Sequence, residues 1–168
     1  AHQMKKALIA LIAVVTVAGA AFWQFAGSSK TAPDVTFVSL DGHKISTQDL
    51  RGKVVLVKFW ATSCVTCIQQ MPDTVQTYKD LSPKGYEVIA VAMQYDPPNY
   101  VKNYSDTRQL PFPVAIDAQG KLAKAFGDVQ LTPTAFLIDK QGHIIKRYLG
   151  NYDKVAFMNT VEKALAAG

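Results

Sequence analysis

The feature that most limits the possible folds is a pair of cysteines that follows a strongly apolar segment. Residues Lys53–Trp60 (KVVLVKFW) are β-branched and apolar on both faces, and the only two cysteines, Cys64 and Cys67, come shortly after them. Such a segment is typical of a central strand that is covered on two sides. Apolar residues then recur at intervals of three and four from Val65 to Leu81, which predicts a helix. The cysteines therefore lie where a buried strand passes into a helix.

The rest of the chain alternates predicted strands and helices. Asp41–Gly42 predicts the turn of an N-terminal β-hairpin. Further strands are predicted at Glu87–Met93, Val114–Ile116, Thr134–Ile138 and His143–Leu149, and further helices at Pro97–Gln109, Lys121–Phe126 and Asp153–Ala167, with Asp153 as a helix cap. Crossover connections give parallel pairs, and the late hairpin adds an antiparallel edge. We therefore predict an α/β three-layer sandwich, with a mixed central β-sheet and helices on both faces.

The N-terminal part predicts an export or anchoring segment. Residues 7–23 (ALIALIAVVTVAGAAFW) carry no charge and follow Lys5 and Lys6, a pattern typical of signal peptides and membrane anchors. Residues 1–3 precede Met4 and are interpreted as a vector-derived remnant. Small residues at 18–20 favour cleavage, whereas the apolar run to about residue 25 and its aromatic end favour an uncleaved anchor over residues 4–25. Both alternatives export the rest of the chain.

The charge of the remaining chain argues against a nucleic-acid-binding protein. Residues 26–33 (AGSSKTAP) are small and polar and predict a linker, and residues 34–168 are predicted to form one domain. Three of the 18 basic residues precede this domain, which leaves 15 basic against 13 acidic residues, a balance of +2. There is no clustered basic face with interleaved aromatics. We expect a monomer in a compartment where disulfides are permitted.

The position of Cys64 at the start of a predicted helix favours redox chemistry. Free backbone N–H groups and the positive end of the helix dipole favour an anion there. Such positions lower the pKa of a cysteine thiol from about 8.5 to as low as about 3.5–7.5. Cys67 lies one helical turn further on, less exposed and within disulfide reach. We predict that Cys64 attacks a disulfide and that Cys67 resolves the mixed disulfide.

Two other roles for the cysteines are weaker. A zinc site requires four ligands, or three and an open position. Besides the two cysteines, the candidates are His43 and His143, which are interpreted as surface residues beside turns, and His2 in the remnant. A purely structural disulfide would close a very short loop, which constrains the unfolded chain little. Redox exchange is therefore the preferred interpretation.

Two motifs resemble the thioredoxin superfamily. FWATSCVTC at 59–67, followed by Pro72, and LTPTAFLIDKQG at 131–142 are similar to the membrane-anchored TlpA/ResA-like thiol–disulfide oxidoreductases, from about residue 33 to the C terminus. The resemblance implies a thioredoxin-like fold in which the N-terminal hairpin and a helix–strand insert at 97–116 are additions. It implies no cofactor other than the redox-active Cys64–Cys67 disulfide.

The resemblance also implies roles for residues outside the cysteine pair. The proline of the second motif is cis in this family and packs beside the cysteines, which carries over to Pro133. Thr132 before it is then expected to offer its backbone to a substrate strand, and Trp60 to support the site. Because a loop after a central strand commonly lines a binding groove, a further suggestion is that Tyr95, Pro97 and Pro98 line the substrate groove.

The chain departs from the family pattern at several positions. Ser63 stands where many relatives have tryptophan, and residues 94–96 match poorly to the acidic residue that some ResA-like members place near the disulfide. Lys58 stands where thioredoxins usually carry a buried aspartate. Lys58 could handle the proton of the resolving cysteine if burial lowered its pKa. The alternative, which we expect, is that its side chain extends to solvent.

The residues between the cysteines favour a reductase. Val65 offers no donor to a thiolate and Thr66 offers one hydroxyl. We therefore expect a reduction potential nearer about −270 mV than about −120 mV. The resemblance implies that a membrane electron donor of the DsbD/CcdA type keeps the protein reduced on the periplasmic side of a bacterial inner membrane. Target disulfides in apocytochrome c or in a copper-site protein are the expected substrates.

Two other functions are kept as alternatives. A copper chaperone on the same scaffold is chemically reasonable because soft thiolates suit Cu(I). Copper-delivery relatives, however, have a wider cysteine spacing and a well-placed histidine. A peroxide-reducing redoxin would have a threonine three residues before the nucleophile, where this chain has Ala61.

Overall fold

The computed structural model divides the chain into residues 1–30 and 31–168. It describes residues 2–25 and 30–168, without the side chains of residues 16–25. The first unit consists of helix α1, His2–Phe25. The side chains of the predicted cleavage site at 18–20 and of the aromatic end of the apolar run lie outside what is described, as do residues 26–29 of the predicted linker. Among the described residues, no helix combines the length and the apolar character that crossing a membrane requires.

The second unit is built on a six-stranded sheet with the order β1–β8–β7–β4–β5–β6. These strands are Lys30–Thr31 (β1), Val54–Trp60 (β4), Tyr86–Ala92 (β5), Val114–Ile116 (β6), Thr134–Ile138 (β7) and His143–Leu149 (β8). Strands β4, β5 and β6 are parallel, whereas β7 is antiparallel to both β4 and β8. The mixed sheet confirms the predicted arrangement. Strand β1, however, lies within residues 26–33, which were predicted as a linker, because this segment pairs with the edge strand β8.

Helices and a small second sheet cover the two faces of the central sheet. The helices are Val65–Leu81 (α2), Pro98–Arg108 (α3), Lys121–Ala125 (α4) and Lys154–Ala166 (α5), with 3₁₀ turns at Gln48–Leu50 and Ser82–Lys84. Strands Thr36–Val38 (β2) and Lys44–Ser46 (β3) form the predicted hairpin. Residues of α2, α3 and α5 form one core with the sheet, and residues of α4 and β2 form the other. The three-layer sandwich is therefore confirmed.

Every residue of β4 is buried, as the prediction of a doubly covered strand requires. Side chains alternate between the two faces of a strand. Leu56 and Trp60 accordingly belong to the core under α2, whereas Val57 and Phe59 belong to the core under α4. The strand thus supplies both hydrophobic cores of the domain.

Lys58 lies in the middle of this strand and is 0% exposed, so the expectation that it extends to solvent is wrong. Its Nζ donates hydrogen bonds to Gln70 Oε1 at 2.7 Å and to Thr74 Oγ1 at 3.1 Å. Helix α2 covers this face of β4, so the amine of Lys58 contacts polar side chains of the helix and not solvent. Burial lowers the pKa of Lys58 from 10.5 to about 8, although the charge of Asp73 partly opposes this.

Phe37 attaches the N-terminal hairpin to the rest of the domain, and its truncation should destabilise the protein. Phe37 is 1% exposed and its ring centroid lies 6.4 Å from that of Phe126, whereas the neighbouring Val38 is 49% exposed. We expect Phe37→Ala to lower the free energy of unfolding by about 3–5 kcal/mol. The control Val38→Ala should lower it by about 0.5 kcal/mol or less. Equal losses in urea unfolding would contradict this packing.

The buried Lys58 predicts that the disulfide form becomes more stable as the pH rises. Because its pKa is about 8 in the folded protein and 10.5 ordinarily, the unfolded chain binds more protons between these values. The free energy of unfolding therefore increases with pH in this range, by about 2 kcal/mol between about pH 7.5 and about pH 9.5. Burial raises the pKa of Tyr86 and Tyr152, so their ionisation in the unfolded chain opposes the gain nearer pH 10.

Urea unfolding at several pH values within this window measures the predicted gain. Lys58→Met should abolish it, since methionine has a similar length and no charge. Lys79→Met, at an exposed position of α2, should retain it. If the stability of the wild-type protein did not increase over this range, burial would not lower the pKa of Lys58, and the prediction would be wrong.

Candidate functional site

Three segments that are distant in the chain meet at the edge of the sheet where β4 ends. Parallel strands β4 and β5 end on the same side, whereas antiparallel β7 begins there, with Thr134 paired to Phe59. This topology brings the cysteine-bearing loop, the loop after β5 and the Thr132–Pro133 turn to one edge. The predicted site residues are thus assembled by strand pairing.

The two cysteines form a disulfide at the N terminus of α2, with Cα atoms 5.2 Å apart. Cys64 is the N-cap residue, and its Sγ accepts a hydrogen bond from the backbone N–H of Cys67 at 3.2 Å. Cys67 is 0% exposed, whereas Cys64 is partly exposed. A partner can therefore reach Cys64 more readily than Cys67, in keeping with the predicted order of attack.

The Thr132–Pro133 peptide bond is cis, as the resemblance implied. The turn is held on both sides: the Gly150 N–H donates to Pro133 O at 2.9 Å, and Thr134 Oγ1 donates to Leu131 O at 2.6 Å. Pro133 is buried and Thr132 is partly exposed. Within the described residues, the backbone of Thr132 forms no hydrogen bond, so it is available to a bound segment.

A buried carboxylate that sequence analysis did not assign to the site holds the cysteine-bearing loop. Asp96 is 3% exposed and accepts hydrogen bonds from the Thr62 backbone N–H at 2.7 Å and from Thr62 Oγ1 at 2.6 Å. In the sequence, residues 94–96 are only a poor match to an acidic residue near the disulfide. Both oxygens of Asp96 position the loop two residues before Cys64, and the separation of 34 residues gave no sequence signal for this contact.

A chain of hydrogen bonds connects buried Lys58 with the cis-proline turn. Gln70, whose Oε1 accepts from Lys58, donates through Nε2 to Gly150 O at 3.0 Å and to Asn151 Oδ1 at 3.1 Å. The N–H of Gly150 in turn donates to Pro133 O. The helix that carries the cysteines is therefore tied to the turn at the edge of the site. Gln70 was also missed by sequence analysis.

Trp60 supports the site from inside the domain. Its side chain is 0% exposed and its ring centroid lies 5.3 Å from that of Tyr104 in α3. No described residue accepts a hydrogen bond from its Nε1. Trp60 consequently cannot touch a protein substrate directly, and it contributes by packing. At the surface, Tyr95, Pro97 and Pro98 are exposed, as a groove-lining role would require.

Neither histidine of the domain lies at this edge. His143 begins β8 beside Asp139, which follows β7, at the opposite end of that strand from Pro133. His43 pairs with Asp41 at 2.8 Å in the N-terminal hairpin. Across residues 2–25 and 30–168, no group of three or more His, Cys, Asp or Glu side chains could hold a metal ion.

Comparisons with known proteins agree with this geometry. Residues 27–165 match the Redoxin family. The thiol-disulfide oxidoreductase ResA of Bacillus thuringiensis subsp. konkukian is 39% identical over 125 residues, which cover 74% of this chain and 71% of the relative.

Two crystal structures have the same fold. A thiol:disulfide interchange protein of the thioredoxin family from Chlorobium tepidum TLS is 32% identical, with a TM-score of 0.76 over 83% of this chain and 99% of that one. The pneumococcal exposed lipoprotein thioredoxin Etrx1 from Streptococcus pneumoniae is 30% identical, with a TM-score of 0.68 over 77% and 98% of the two chains.

The region that matches the family includes both cysteines and the cis-proline turn. A disulfide at a helix N-cap, with one reachable sulfur and a buried partner, is suited to exchange with other disulfides. The chain therefore belongs to the Redoxin family and is a ResA-like thiol–disulfide oxidoreductase of the thioredoxin superfamily.

Proposed function

We propose that the protein is an exported reductase of target-protein disulfides, with Cys64 as the nucleophile and Cys67 as the resolving thiol. The difference in exposure between the two cysteines carries this assignment: Cys67 is 0% exposed, whereas Cys64 is partly exposed. The backbone N–H of Cys67, which points at Cys64 Sγ, and the N terminus of α2 also favour a negative charge on that sulfur.

The reaction has two exchange steps. The Cys64 thiolate attacks one sulfur of the target disulfide, which forms a Cys64–target bond and releases the other target sulfur as a thiolate that takes a proton from water. The Cys67 thiolate then attacks Cys64 Sγ. This second step forms the Cys64–Cys67 disulfide and releases the remaining target sulfur, so the target gains the two electrons that the cysteine pair loses.

The substrate should bind as an extended segment beside the cis-proline turn. Thr132 offers backbone groups with no partner among the described residues. Apolar side chains around this edge are strongly exposed: Val65 at 70%, Leu131 at 63% and Tyr95 at 61%. An unfolded or flexible chain with its cysteine next to apolar residues fits such a surface, since backbone hydrogen bonds give affinity without a particular sequence.

The direction of electron flow follows from the residues around the disulfide. The side chain of Val65 has no donor for the Cys64 thiolate, so the reduced form is not over-stabilised and the potential stays low. Such a protein requires a continuous supply of electrons in an oxidising compartment. We propose that a membrane donor of the DsbD/CcdA type provides them on the periplasmic or other extracytoplasmic side, where the chain acts as a monomer.

Two features support this location. Residues 7–23 carry no charge and follow two lysines, which is typical of an exported protein that is anchored or cleaved. The pneumococcal relative is described as an exposed lipoprotein. Apocytochrome c or a copper-site protein, in which a disulfide must be opened before the metal or haem can bind, is the proposed target class.

Substitution of each cysteine in turn tests the assigned roles. Cys67→Ser should form a lasting mixed disulfide with oxidised insulin, since nothing resolves it, whereas Cys64→Ser should form almost none. Mass spectrometry under non-reducing conditions identifies the adducts, and the double substitution serves as the background. An adduct that accumulated on Cys67 in Cys64→Ser but not on Cys64 would reverse the roles.

The reduction potential tests the direction. We expect a value near about −270 mV when the protein is equilibrated with a dithiol–disulfide buffer and the two forms are separated after alkylation. A potential above about −160 mV would make the protein an oxidant of dithiols, and the reductase assignment would then be wrong.

A further inference from the structure

The buried amine of Lys58, on β4, lies against the face of α2 that carries the proposed resolving cysteine, Cys67. Gln70 and Thr74, the two hydrogen-bond partners of Lys58, follow Cys67 by three and seven residues. These spacings place all three residues on the same side of a helix. A rise of about 1.5 Å per residue puts Gln70 about 4.5 Å and Thr74 about 10.5 Å along the helix from Cys67. The amine therefore lies within two helical turns of the Cys67 position.

Neither the amine nor the sulfur is exposed to solvent. Lys58 and Cys67 are both 0% exposed, and Thr74 is 5% exposed. Trp60, two residues after Lys58 on the same face of β4, packs in the same core as Cys67. A charge in such surroundings acts on its neighbours far more strongly than one at the surface, because water does not screen it.

The position of the amine is fixed from several directions. Its strand is hydrogen-bonded on both sides, to β5 and to β7. Gln70 cannot reverse its amide without losing the bonds that its Nε2 donates to Gly150 O and Asn151 Oδ1. The oxygen of that amide therefore stays directed at Lys58, where it accepts a hydrogen bond from the ammonium.

None of the other titratable groups near Lys58 places a second positive charge in the core beside Cys67. These groups are Asp73 on α2, Tyr86 on β5, Tyr148 on β8, and Tyr152 and Lys154 after β8. Lys154 is exposed and pairs with Asp73 at 2.9 Å. Burial raises the pKa of all three tyrosines, so they are neutral where thiols titrate.

We propose that the ammonium of Lys58 stabilises the thiolate of Cys67 in the reduced protein, and that Lys58 is thereby a positioning residue for release of the mixed disulfide. The Cys67 thiol gives its proton to water, and the resulting anion is held beside the buried cation. The thiolate then attacks Cys64 Sγ and the target sulfur leaves. Formation of the Cys64–Cys67 bond removes the negative charge from Cys67 and leaves Asp73 as the negative charge that acts on Lys58.

The interaction is reciprocal. If Lys58 favours an anion on Cys67, the anion must equally favour the charged form of Lys58. In the disulfide form, Cys67 is neutral and burial lowers the pKa of Lys58 to about 8. Reduction should therefore raise the pKa of Lys58, and the two groups should titrate as a coupled pair.

This reciprocity provides a test on the unaltered protein. The ¹³Cε resonance of Lys58, assigned by its loss in Lys58→Met, is followed against pH in the disulfide form and in the dithiol form. We expect the midpoint to move upward by about one pH unit on reduction, with a second inflection from Cys67. Lys79 on the exposed side of α2 is the internal control. Identical Lys58 curves in the two forms would overturn the proposal.

Variants test the effect on the sulfur itself. In a Cys64→Ser background, the thiolate absorbance of Cys67 reports its ionisation alone. Lys58→Met should raise the pKa of Cys67 by about one unit, which is about a tenfold smaller thiolate fraction at a pH below both values. Lys79→Met should not change it. An unchanged Cys67 curve in a folded Lys58→Met protein would contradict the proposal.

The kinetic consequence separates this role from a purely structural one. With both cysteines present, Lys58→Met should slow release of the mixed disulfide by about tenfold at neutral pH. In Cys67→Ser, where only the first attack occurs, it should leave the rate at Cys64 nearly unchanged. Equal slowing of both steps would point to general damage and overturn the assignment. Since these measurements read Cys67 directly, their failure leaves the proposed reductase direction intact.

Discussion

Burial of β4 on both faces is the constraint on which the site depends. A strand that is apolar on both sides can only be stable between two covered layers, and β4 supplies residues to both cores. Its C-terminal end is consequently packed on both faces. The chain leaves this end in a short loop, held by Asp96 through Thr62, and enters α2 at Cys64. The sulfur of Cys64, the proposed nucleophile, is thus placed at a helix N terminus by the packing of the strand before it.

The antiparallel pairing of β7 with β4 completes the site. It brings Pro133 to the edge where the cysteines lie, although about 70 residues of sequence separate them. Hydrogen bonds through Gly150 and Gln70 then join this turn to α2. Because the same helix carries both cysteines, movement of the turn relative to the disulfide would break bonds inside the domain. The cis-proline turn and the two sulfurs are therefore held as one unit.

Lys58 is the element of the core that the fold alone does not explain. A buried charge destabilises the folded state unless its partners replace the water that it loses. Gln70 and Thr74 do so only in part, since burial still lowers the pKa of Lys58 to about 8. An apolar side chain of similar length would suit the core better. In the proposed mechanism, a cation beneath the helix that carries Cys67 has a chemical use, because the proposed resolving step requires an anion on that sulfur.

The sequence by itself determined the order and type of the elements from β2 onward, since these depend on local periodicity and turn residues. The bounds of β7 and β8, the Asp153 cap and the position of Cys64 before a helix all agree with it. Strand β1 lies in the segment predicted as a linker, because its pairing with β8 is a contact between distant segments. Contacts between distant segments had no such signal. The burial of Lys58 contradicted expectation, and the roles of Asp96 and Gln70 were not foreseen. Only the tertiary structure decided these, because the environment of a polar side chain depends on which distant segments pack around it.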